Sequence, residues 1–352
     1  MNQKSWLRVL NSCSYNLKSK IQNLKWGGIV AVGVTFGLFG GVAQAQQVKG
    51  LRELNTSYPL GGSTSFFWVA YRSGAFEKSG LKLNPVYIRG SVTALQSLLA
   101  KELLIQLEAG PAGIRAWARG AKELTFIGAV GNKLDYILTA IPSVRKPEDL
   151  RGKRIGVSQI GASSDFIARF AVRQLGLNPE KDVKILGAGG MGQRWAALTG
   201  GHIDATVVQP PFTLLARKSG YPVLIDISAQ DFQYPISAVL TTRSFIRSEP
   251  ETVMNFMRGL SDGMDFYRDE ANKDKVIQYL GEYYRSNARE ELEETRRAYS
   301  QLTPGLPVIT AKSIENVIVN DKDLSGMGLK ASEMLDLSFL QKLEEEKKIM
   351  GR

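Results

Sequence analysis

Gly61-Gly-Ser-Thr-Ser-Phe66 and Gly161-Ala-Ser-Ser-Asp-Phe166 carry the same pattern 100 positions apart, and this pairing constrains the fold more than any other feature of the chain. The same offset relates Gly90 to Gly190, Leu98 to Leu198, Leu103 to Ile203, Pro111 to Pro211, Gly120 to Gly220 and Leu124 to Leu224. The register slips between Gly74 and Pro85, where Gly80-Leu81 corresponds to Gly176-Leu177. So many matches in order imply two similar units facing one cleft. Within the second copy, the β-rich run Arg154–Val157 leads into a small polar loop and then a helical pattern with Phe166, Ile167 and Phe170 near one face. Ser163 or Ser164 is placed as the N-cap of that helix, where a hydroxyl takes up a backbone N–H left free by the first turn. Strand, Ser/Gly loop and helix N-terminus together form a receptor for an anion or a dipole.

The flanking chain repeats this alternation. Strands are expected at Leu51–Ser57, Leu81–Ile88, Leu103–Glu108 and Leu124–Val130, and helices at Phe67–Gly74, Val92–Ala100 and Ala112–Arg119. The second unit reads as strands Arg154–Val157, Val183–Leu186, Ala205–Val208 and Val223–Ile227, with helices Asp165–Leu175, Gln193–Leu198 and Phe212–Lys218. Such βαβ alternation predicts two mainly parallel sheets flanked by helices. The apolar strands Asp135–Ala140 and Pro235–Thr241 read as the two crossings, giving a first lobe of 46–140 plus 241–352 and a second of 141–240. From Pro250 the chain turns helical, and Val253, Met257, Leu260, Met264 and Tyr267 keep the spacing of a buried stripe.

Residues 1–45 read as a secretion signal. Lys4, Arg8, Lys18, Lys20 and Lys25 form a basic start without acidic residues, Gly27–Val42 is uncharged and apolar, and Ala43-Gln-Ala45 supplies small residues for cleavage before Gln46. Its removal lowers the formal charge from +11 to +6 and takes away Cys13, the single cysteine. The remaining basic residues are dispersed, which excludes a nucleic-acid partner. One histidine, His202, in a turn entering a strand, leaves no means for Cys/His metal sites or a Cys–His pair, and neither metal nor cofactor is expected.

Four motifs carry a family resemblance: Gly74-Ala-Phe-Glu-Lys-Ser-Gly-Leu81, Glu148-Asp-Leu-Arg-Gly-Lys-Arg-Ile-Gly-Val157, Leu175-Gly-Leu-Asn-Pro-Glu-Lys-Asp-Val183 and Ala197-Leu-Thr-Gly-Gly-His-Ile-Asp-Ala205. Over about residues 50 to 330 the chain resembles the type II periplasmic solute-binding proteins of ABC importers. It is most similar to the branch that binds aliphatic sulfonates, taurine, nitrate and thiamine-pyrimidine precursors. The resemblance implies a two-lobed α/β fold, a periplasmic location, an ABC permease in the inner membrane as partner, a monomer, and capture of a small polar solute without catalysis. It also implies a ligand held by loops at the C-terminal ends of the strands. On this sequence those are Gly62, Ser63, Thr64, Gly90, Ser91, Ala109, Gly110 and Asn132 from the first lobe, and Ser158, Gly161, Ser163, Ser164, Gly190, Met191 and Gln209 from the second. Gln209 stands where relatives often carry an acidic residue, which removes a partner for a ligand ammonium group.

The set is made of neutral donors and helix ends, flanked by Arg89 and Arg194. Asp165, in the first turn of its helix, compensates the dipole and argues against a strongly anionic ligand. The rival function is an enzyme of the same fold working by carboxylate acid–base chemistry. It requires a cleft carboxylate with a raised pKa, for which Glu108 and Asp165 are the loop candidates. A third possibility, an effector-sensing domain, has no DNA-binding or kinase segment attached to it.

Overall fold

The computed structural model describes residues 50–350, apart from 60, 89, 108–109 and 303–304. The expected secretion signal lies outside the described residues. The first unit runs β1 (Arg52–Tyr58), α1 (Ser65–Arg72), α2 (Ala75–Lys78), β2 (Leu81–Tyr87), α3 (Ser91–Leu99), β3 (Ile105–Leu107), α4 (Gly110–Ala118) and β4 (Leu124–Lys133). The second follows as β5 (Ile137–Ala140), β6 (Arg154–Val157), α5 (Ser163–Gln174), β7 (Lys184–Gly187), α6 (Met191–Thr199), β8 (Ala205–Val208), α7 (Phe212–Lys218) and β9 (Val223–Asp226). Strand β10 (Gln233–Thr242) leads to the helical tail: α8 (Arg243–Ser248), α9 (Pro250–Arg268), α10 (Lys273–Tyr284), α11 (Arg289–Leu302), α12 (Ala311–Asn320) and α13 (Ser338–Ile349).

The two five-stranded sheets have one topology. Their orders are β2-β1-β3-β10-β4 and β7-β6-β8-β5-β9, so each member of one has a counterpart in the other. In each, the fourth strand alone runs against its neighbours, β10 between β3 and β4 and β5 between β8 and β9. The offset of 100 is therefore a structural pseudo-repeat.

The pairing shows which sheet each of the two crossing strands joins. Ile137 pairs with Val208 in the second sheet, while Val239 pairs with Leu107 in the first. Each apolar run is handed across to fill the antiparallel slot of the opposite sheet. The chain thus changes sheet at residues 134–136 and 227–232. Both strands are almost wholly buried, as central positions covered on two faces require.

The stripe Val253, Met257, Leu260, Met264 and Tyr267 is fully buried against the first lobe. One apolar cluster lies there with Phe66, Phe76 and Leu81, whereas another is continuous between the lobes and unites Leu98, Phe126 and Leu240 with Leu138, Val157 and Phe166. Gly74 stops α1 with a left-handed φ of 75°, a conformation that favours glycine. Helix α12 starts on Thr310, whose Oγ1 accepts the Ser313 N–H at 3.1 Å. Thr310→Ala is expected to lower stability by about 1 kcal/mol in a urea titration; an unchanged midpoint would contradict this role.

Candidate functional site

The loop–helix units of both lobes converge on a cleft that is nearly shut. Two voids of about 10 and 30 Å³ remain, both lined by Pro59, Gly61, Tyr136 and Gln209. Around the first are Ser63, Thr64, Gly110 and Ser163, and around the second Gly90, Ser158, Ser164, Gly190 and Met191. Sites for small organic ligands measure roughly 300–1,000 Å³, well above either void.

Most of the expected residues are brought together here, with exceptions. Gly62 joins through its N–H, which donates to Gln209 Oε1 at 3.3 Å across the cleft. Ser91 follows Gly90 at the start of α3, and its buried Oγ has no hydrogen-bond partner among the described residues. Asn132, near the end of β4, and Gly161 line neither void. Ala109 lies outside the described residues, as does Glu108.

The local roles differ from expectation in two respects. Helix α5 begins after Ala162 without a side-chain cap, and Ser163 and Ser164 are its first residues. Ser164 Oγ instead accepts the N–H of Ser158 and bonds its hydroxyl, both at 2.8 Å, so the serine pair stitches the loop to the helix. The Asp165 carboxylate points away from the voids and is neutralised there. It accepts from Gly161 N at 2.9 Å and Arg169 Nε at 2.8 Å, so it does not argue against an anion in the cleft.

Four residues in the cleft wall or directly behind it were not in the expected set. Asp135 lies where the chain first changes sheet and is only 4% exposed. It accepts from Gln209 Nε2 at 2.7 and 2.8 Å and from the Tyr299 hydroxyl of α11 at 2.5 Å. Burial raises its carboxyl to about 6, against the lowering effect of the Tyr299 and Gln209 hydrogen bonds. Gly62, Gln209, Asp135 and Tyr299 thus form one chain of contacts through first lobe, second lobe, crossing and helical tail. Ser237, within the run read only as an apolar strand, has a left-handed φ of 46° and a 2.7 Å hydroxyl contact with Ser63. That conformation is costly for serine and is held by the surroundings. Arg194, expected only as a flanking residue, is 3% exposed and lines the second void. It donates to Thr206 Oγ1, Gly189 O and Val207 O at 3.1–3.2 Å, which brings a fixed positive charge beside Ser158 and Ser164.

In comparison with known proteins, no curated protein matches the chain. Among solved structures, it is similar to the alkanesulfonate-binding protein SsuA of Xanthomonas axonopodis pv. citri bound to MOPS, at 17% identity and a TM-score of 0.67 over 82% of this chain and 99% of that one. The periplasmic aliphatic sulphonate binding protein SsuA of Escherichia coli gives 20% identity and a TM-score of 0.56 over 72% and 84%. A desulfurization enzyme, DSZB, gives 13% identity and a TM-score of 0.59 over 84% and 99%. These likenesses show the periplasmic-binding-protein fold. A family model matches residues 58–281, which covers both sheets' loop–helix units, and the chain belongs to the NMT1-like family.

Proposed function

We propose that this protein is the extracytoplasmic solute-binding component of an ABC importer. It captures a small polar organic solute (a sulfonate, a nitrate-like anion or a pyrimidine-type compound) between its lobes and delivers it, as a monomer, to a permease in the inner membrane. The observation that carries this reading is the cleft. Equivalent loop–helix starts from two pseudo-repeated sheets close on one another, with Arg194 as the buried cation at their meeting point. Neutral N–H and hydroxyl donors together with the Arg194 guanidinium suit an anionic or strongly dipolar solute. The names of the two sulfonate-binding neighbours support the same class.

The test is a thermal-shift screen of residues 46–352 against sulfonates, nitrate, pyrimidines, carboxylates and aromatic acids. A true ligand at a hundred times its Kd adds about 2.7 kcal/mol to stability. Arg194→Gln is expected to abolish the shift from an anionic hit. No shift from any class, or an equal shift in that variant, would remove this reading.

Asp135 favours a second reading, an enzyme using a carboxylate as acid or base, because its carboxyl sits near 6. Both its oxygens are engaged by Gln209 and Tyr299, and it lines neither void. Recovery of the best hit unchanged after prolonged incubation, read by NMR, separates receptor from enzyme.

A further inference from the structure

Gly161 and Asp165 face a different space. A cavity of about 680 Å³ lies between α3 and α4 of the first lobe, α5 of the second, and the Asn320–Asp323 turn that follows α12. Its size falls within the range of small-molecule sites. One wall is apolar, formed by Val92, Leu95, Leu99 and Ala116. The other is charged with a cationic excess: Arg115, Arg119, Arg169, Arg173 and Lys322 stand with Asp165, Asp321 and Asp323.

The cations are not equivalent. Arg115 is paired with Asp321 at 2.5 Å and donates to Gly161 O at 2.6 Å, and Arg169 is paired with Asp165 and Glu180. Arg173 donates to a neutral oxygen, Asn320 O, at 2.7 Å. Among the described residues, no carboxylate stands within ion-pair distance of Arg173 or of Arg119 at the exposed rim. Burial, and then the charge of Arg169, push the Arg173 guanidinium below its ordinary range. Asp321 and Glu180, beyond ion-pair distance, offset this only in part, so the half-buried cation keeps an unfavourable field that an anion in contact with it relieves.

We propose that this cavity is a second ligand site, separate from the cleft, for a small amphiphilic organic anion. Its head group meets Arg173, with Arg119 as the second cation, and its alkyl or aryl tail lies on Val92, Leu95 and Leu99. The walls come from both lobes, so an occupant favours their present juxtaposition. The chemistry of this site is set by its own walls, whatever the identity of the solute in the cleft.

The test is a fluorescence titration with anilinonaphthalene sulfonate, followed by displacement with octanoate and, separately, with octanol. The expected result is saturable binding that octanoate reverses and octanol does not. Leu99 is 47% exposed and Arg119 lies at the surface, so Leu99→Glu and Arg119→Glu are folded variants in which the affinity falls about tenfold each. The same variants keep the thermal shift given by a cleft ligand, which separates failure of this site from failure of the cleft. Binding that does not saturate, affinity equal in wild type and both variants, or displacement by octanol as readily as by octanoate would each overturn the proposal.

Discussion

Gly62→Ala is expected to destabilise the protein by about 4 kcal/mol, combining overpacking with the loss of a hydrogen bond to a buried carboxylate. A Cβ built on Gly62 would stand 1.5 Å from the Tyr299 hydroxyl and 2.4 Å from the ring carbon that bears it. Tyr299 has no room to retreat: it is 1% exposed, and its ring meets Phe66 edge-on at 6.2 Å. Any displacement pulls its hydroxyl from Asp135, and the ionised form of that carboxylate then loses a donor it needs. The neighbouring glycine supplies the control. A Cβ on Gly61 would meet Gln209 Oε1 at 3.2 Å and Thr64 Oγ1 at 3.5 Å, a contact that small shifts absorb. Gly61→Ala is therefore expected to cost no more than about 1 kcal/mol. Urea denaturation of the three proteins at neutral pH measures both numbers, and equal losses in the two variants would refute the steric account.

This glycine also shows where the sequence stops being legible. Gly62 was expected as a ligand contact, because a Ser/Gly loop before a helix is a local signal and local signals are readable from one stretch of chain. For the same reason the strand and helix alternation was placed within a few residues: turn glycines such as Gly74 and apolar runs such as Ala205–Val208 act over short range. What the loop touches is a long-range matter. Tyr299 comes from a helix far along the chain, and nothing in Gly61–Ser65 announces it. The crossing strands failed similarly. The run Asp135–Ala140 was recognised as a strand, but the sheet that takes its Ile137–Ala140 part is decided by pairing with Val208 and Asp226. Ser164 was expected as the cap, but it falls inside the first turn and its hydroxyl chose Ser158 N over the helix N–H groups, a choice between neighbours only the folded loop settles. Asp135 did leave a signal, a single carboxylate set into an apolar run at a change of sheet, and it was absorbed into the strand. Ser237 left none, since a left-handed φ on a non-glycine residue has no sequence mark.

Asp135→Asn is expected to remove a pH dependence of stability worth roughly 3 kcal/mol, which follows from a carboxyl raised from 3.8 to about 6. The folded pKa lies above the unfolded one, so between these values the native state holds a proton that the unfolded chain has released. The stabilisation is complete below pH 4 and is lost as pH rises through 6, the reverse of a salt-bridged carboxylate. The facing titratable groups do not interfere. Burial raises the hydroxyls of Tyr299 and Tyr284 well above the ordinary tyrosine range, and the Asp135 charge adds to this. Asparagine keeps the shape without ionising: its Oδ1 accepts from Gln209 Nε2 and its Nδ2 donates to the Tyr299 oxygen, while the second Gln209 contact, 2.8 Å in the wild type, is given up, a loss that does not vary with pH. Subtracting the variant's stability from that of the wild type at each pH, from about 4 to about 8, cancels the other ionisable groups. The difference is expected to fall by roughly 3 kcal/mol across that interval, with its midpoint near 5, between the two pKa values. A flat difference would mean that Asp135 is ionised throughout. A difference that rises with pH would mean that Gln209 and Tyr299 outweigh burial, making the Gly62–Gln209–Asp135–Tyr299 chain an anchored anion rather than a carboxyl held near neutrality.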